Sequence, residues 1–107
     1  MAFKRKLSRG IGTSLTSVGA YTAPSSTEVT IIGLAIANVS TSAISVEASV
    51  YDGVNDTYLV KGATVVAGGT LVVVGGDQKV VLEPGDSVRV ASSDASSVDV
   101  VLSILEV

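Results

Sequence analysis

Apolar residues recur at every second position along most of this chain, and no window longer than a turn keeps the 3.6-residue spacing of an amphipathic helix. Ile44, Val46, Ala48 and Val50 alternate with Ser45, Glu47, Ser49 and Tyr51, and Ile32, Leu34 and Ile36 alternate with smaller residues. Successive side chains of a strand point to opposite faces, so this alternation marks half-buried strands. β-Branched runs cover 29–39, 43–51, 58–66, 70–74, 79–83, 87–91 and 98–107, and an N-terminal strand is expected near 12–18. The breaks are turn chemistry: Ser40-Thr41-Ser42, the 52–56 loop with Asp52, Gly53 and Asn55, Gly68-Gly69, Gly75-Gly76, Glu83-Pro84-Gly85-Asp86, and Ser92 to Ser97. Turns about ten residues apart in a chain of 107 residues predict a single all-β domain. The expected architecture is an antiparallel β-sandwich, jelly-roll-like, with seven to eight short strands.

Charge divides the chain unevenly. Lys4, Arg5, Lys6 and Arg9 give a tip near +4, whereas residues 10–107 hold three basic side chains against all ten acidic ones. A polar connector, Thr22 to Thr27, follows the basic segment. The reading is a basic N-terminal arm and first strand over 1–20 and a β-sandwich body over 21–107. Lys4, Arg5, Lys6 and Arg9 are then candidates for contact with an acidic partner surface, outside the core. No apolar h-region follows the basic tip, and the longest apolar run, Ile31 to Ala37, is far shorter than the roughly 18 residues of a membrane span. Neither secretion by a signal peptide nor membrane insertion is expected.

Cysteine and histidine are both absent, which removes the imidazole base, the thiolate nucleophile and the soft ligands of zinc and iron. Four aromatic residues and no tryptophan offer little for stacking sugars or single-stranded nucleic acid. Asp52, Asn55 and Asp56 have oxygen ligands but not the spacing of a calcium loop, and they suit a hairpin turn. The glycine pairs lead into strands, not into the helix that a phosphate-binding loop requires. The sequons at Asn38 and Asn55 lack a secretory signal. No catalytic residue, cofactor or metal site is predicted, and the chain reads as a non-enzyme.

Several strands are apolar on both faces, among them Val72-Val73-Val74, Val80-Val81-Leu82 and Val100-Val101-Leu102 with Ile104-Leu105. A sandwich strand turns only one face to the core, so the second face needs a cover. The expectation is a homo-oligomer whose interface uses Val72, Val74, Val81, Val101 and Leu105.

The stretch Tyr58 to Ala63 and Ala67 to Asp86, with Ile32-Gly33-Leu34-Ala35-Ile36-Ala37-Asn38 before a Ser/Thr turn, is similar to small virion structural proteins of tailed bacteriophages, especially marine and cyanobacterial ones. The resemblance spans about residues 21–107. It implies a β-sandwich on the virion with no catalytic residues. Within that class it favours a capsid decoration (cement) protein that clamps the major capsid protein, often as a trimer. It leaves open a tail, neck or fibre-associated module. Nucleic acid is not the expected partner.

Overall fold

Every β-branched run read from 29 onward forms a strand in the computed structural model, which describes residues 1–107. In chain order the strands are β1 (Ala2–Ile11), β2 (Thr16–Ser17), β3 (Val29–Asn38), β4 (Ile44–Tyr51) and β5 (Asp56–Val65). They continue with β6 (Thr70–Val74), β7 (Val80–Leu82), β8 (Ser87–Ser92) and β9 (Val98–Glu106). One 3₁₀ turn, Val18–Ala20, follows β2. The larger sheet has the order β1-β9-β3-β6, with β7 also on β3, and the smaller sheet has the order β2-β8-β4-β5. All pairings are antiparallel, so the fold is an all-β sandwich.

Alternation decides which residues meet between the sheets. Val98, Val100, Leu102 and Ile104 of β9, with Val29, Ile31, Leu34 and Ile36 of β3, pack against Ile44, Val46 and Ala48 of β4 and Val88 and Val90 of β8. Connections follow the chemistry expected of them. Gly85 takes a positive φ of 92° while Asp86 N donates to Glu83 O at 2.9 Å, the type II turn that Pro84-Gly85 specifies. Asp52 Oδ1 accepts from Val54 N at 2.9 Å and Asn55 N at 2.7 Å, and these two bonds hold its carboxyl below the usual value. That Asx turn accounts for the acidic loop.

Two expectations are corrected at the N-terminus. The strand expected near 12–18 is reduced to Thr16–Ser17, and the long first strand lies instead on the charged residues Ala2–Ile11. The division into an arm over 1–20 and a body over 21–107 also fails, because β1 pairs with β9 along its length and Ile11 and Val18 join the core. An edge strand is paired on one side only, so lysine and arginine fit there at little cost, their long stems crossing the strand to carry the charge to water.

The passage from the larger to the smaller sheet turns on one buried amide. Asn38 Nδ2 donates to Ser42 O at 2.8 Å and Val65 O at 3.0 Å, and Oδ1 accepts from Ser40 N at 2.9 Å and Ser40 Oγ at 2.7 Å. This side chain ties the end of β3 to the end of β5 and shapes the loop that carries the chain into β4. Replacing Asn38 by Ala removes all four bonds, including the buried one to Val65 O, and should cost roughly 1–3 kcal/mol of stability. Urea unfolding checks this, and the Asn38→Asp variant should be at least as unstable, since a carboxylate would face two carbonyl oxygens.

Candidate functional site

The two outer faces of the sandwich differ in kind. On the smaller sheet, cross-strand partners bring Tyr51 beside Asp56, Ser49 beside Tyr58 and Arg89, and Glu47 beside Lys61. All of these groups except Glu47 engage one another. Arg89 Nε donates to Asp56 Oδ1 at 3.0 Å, its second nitrogen pairs with Oδ2, and its guanidinium stacks 3.9 Å from the Tyr51 ring centre. Ser49 Oγ donates to the same carboxylate at 2.8 Å, and Lys61 Nζ lies 4.5 Å from the Tyr58 ring centre. Asp56 is held below the ordinary carboxyl value, chiefly by Arg89.

The outer face of the larger sheet has no comparable network. Register sets its residues in cross-strand rows. One row runs Phe3, Leu105, Thr30, Val81, the next Arg5, Ser103, Gly33, and a third Leu7, Val101, Ala35, Val72. Phe3 is 73% exposed, Val72 64% and Val81 66%, and Leu7 and Val101 are exposed as well. Two largely apolar bands thus cross β1, β9 and β3, one ending on β7 and the other on β6, separated by the row of Arg5, Ser103 and Gly33.

This face gathers four of the five residues proposed for the interface: Val72, Val81, Val101 and Leu105. Val74 is the exception. It is 1% exposed and packs in the core, because a bulge in the β3–β6 register sets Val74 opposite Leu34 on the inner side. Phe3 and Leu7 belong to the same surface and escaped notice in the sequence. Their signal was present in the alternation of Phe3, Arg5 and Leu7 with Lys4, Lys6 and Ser8, hidden by treating the segment as an arm.

That alternation also splits the basic cluster. Arg5 shares the outer face with Phe3 and Leu7, and Arg5 and Arg9 are exposed without ion pairs. Lys4 and Lys6 turn the other way. Lys4 Nζ meets Glu106 Oε1 at 2.8 Å, and Lys6 Nζ lies 5.0 Å from the ring centre of the buried Tyr21. The Tyr21 hydroxyl donates to Glu106 Oε2. Burial and this bond raise the phenol pKa, whereas Lys4 and then Tyr21 lower that of Glu106. These contacts latch the segment after the 3₁₀ turn onto β1 and β9.

Near Val81 the face ends in an open depression of about 490 Å³ bounded by Thr30, Val81 and Pro84, with Glu28 and Glu83 among its lining residues. No three acidic side chains come together in a way that could hold a metal ion. No protein-family model matches the chain, and no curated protein is significantly similar to it.

The carboxyls of Glu106 and Asp56 are both lowered on folding, so their contributions are full above the unfolded values of 4.5 and 3.8 and fade as pH falls through the lowered ones. Thermal melting followed from roughly pH 5 down to pH 2 should show a steady loss of stability. Glu106→Gln should flatten part of that slope and lower the melting temperature at neutral pH.

Proposed function

We propose that this chain is a non-enzymatic structural protein of a tailed-bacteriophage virion, acting as a capsid decoration (cement) protein. It works as a homo-oligomer, with a trimer favoured, and its partner is the major capsid protein. The observation that carries the reading is the unequal sandwich: one outer sheet face carries the Arg89–Asp56 ion pair and cation–ring contacts, and the other is banded with exposed Phe3, Leu7, Val72, Val81 and Val101. Patches of this kind mark association surfaces when they exceed a few hundred Å². The setting is the one implied by the resemblance read in residues 21–107, on which the family-model and curated comparisons, having no match, do not bear. Arg5 and Arg9, unpaired and exposed, supply charge for an acidic partner, and too little of it for nucleic acid as the main ligand.

Reconstruction of virions of the phage that encodes the chain is the test. The expected result is a nine-stranded sandwich on the outer shell with Phe3, Val72 and Val81 covered by protein. Density on the tail, neck or fibre would favour the second placement that the resemblance leaves open, and absence from the particle would overturn the reading. Val72→Asp should fold normally by circular dichroism and bind shells at least about tenfold more weakly, a charge in an apolar contact being costly to desolvate.

A further inference from the structure

We propose that copies of this chain join head-to-tail through the two open edges of the larger sheet, β1 of one copy lying beside β6 and β7 of the next. The inference rests on the reading of the chain as a homo-oligomer and specifies the contact.

The larger sheet has unpaired edges on both sides. One is the ten-residue β1. The other is β6 and β7, which pair with successive parts of β3 and form a single edge interrupted by Gly75 to Lys79. β1 runs antiparallel to β9, β9 to β3, and β3 to both β6 and β7, so β1 and the β6–β7 edge run in opposite directions within one chain. A second copy set beside the first in the same orientation therefore offers its β1 in antiparallel sense, the geometry of a continued ladder.

The side chains match at the same heights. Phe3 stands in the row that ends at Val81, and Leu7 in the row that ends at Val72. Continuing the sheet places Phe3 of one copy against Val81 of the next and Leu7 against Val72, so that the four most edge-ward apolar side chains pack laterally on one another and each loses part of its exposure. Arg5 lies in the intervening row with Gly33, opposite which the second edge is interrupted by the loop carrying the exposed, unpaired Asp77. The depression at Val81 lies beyond this, with the unpaired carboxylates Glu28 and Glu83 among its lining residues. The β1 edge is basic, and the other carries Asp77, Glu28 and Glu83 against one cation, Lys79, whose ammonium is folded back onto Gly76 O. A symmetric antiparallel pairing of β1 with β1 centred on Arg5 would instead set Arg5 against its own copy and Lys4 against Lys6, and like charges across a ladder are destabilising. Unlike edges that meet produce a ring when the rotation closes, and strand twist supplies rotation.

The natural chain has no cysteine, so introduced thiols report this contact alone. Phe3→Cys and Val81→Cys alter exposed side chains and should fold as the parent does. Mixed under mild oxidation, the two single variants should form a disulfide-linked pair at least about tenfold more than either does alone, since only facing edge strands bring the β-carbons within bonding reach. The F3C/V81C double variant should give covalent species ending at one closed ring. Arg5→Glu should weaken association about tenfold, and Asp77→Arg should restore it, as reciprocal charge exchange does across a facing pair. Phe3→Cys linking to itself as efficiently as to Val81→Cys would overturn the head-to-tail arrangement while leaving an oligomer. No product in any mixture, with the parent monomeric in sedimentation, would overturn both the arrangement and the oligomer beneath it. Neither result depends on where the protein sits on a particle.

Discussion

Strand β9 constrains everything else. It lies between β1 and β3 in the larger sheet, and its alternation commits Val98, Val100, Leu102 and Ile104 to the core and Asp99, Val101, Ser103 and Leu105 to the outer face. A shift of one residue would exchange the two sets, placing Asp99 and Ser103 in the core. The register is therefore fixed by the core, and the apolar outer bands follow from it without separate specification. The tight turn at 83–86, which follows β7, and the buried amide of Asn38 at the end of β3 fix where these strands leave the larger sheet.

The energetic asymmetry of the two faces follows from their chemistry. On the smaller sheet Arg89, Asp56, Tyr51 and Ser49 form a closed set of charge-assisted bonds and ring contacts, leaving little to gain from a partner. On the larger sheet apolar groups remain in water, where covering them returns about 25 cal/mol per Å² before the entropy of association is subtracted. In the proposed oligomer several such contacts would act together, which is how a small protein without a deep pocket could hold a repetitive surface.

Much of this was legible in the sequence. The strands from Val29 onward, the type II turn at Pro84-Gly85 and the outward placement of Val72, Val81, Val101 and Leu105 all follow from period-two alternation and turn chemistry. Val74 was misplaced because a bulge in β6 reverses the parity that a regular strand would keep, and bulges leave no mark in a run of three valines. The first strand falls on 2–11 and not on the expected 12–18, and it is hard to read there because its residues are charged. Composition suggested a free arm, although Phe3 and Leu7 alternate with lysines as an edge strand requires. The pairing of Lys4 with Glu106, at the opposite end of the chain, is long-range and carries no local signal.

Sedimentation of the purified protein over a dilution series tests most directly whether the outer face of the larger sheet is a surface that other copies cover. The account predicts a defined oligomer at micromolar concentration, dissociating on dilution and on introduction of Val72→Asp or Val81→Asp while the β-sheet circular dichroism is retained. A folded monomer at every concentration, with the parent and both variants indistinguishable, would contradict it.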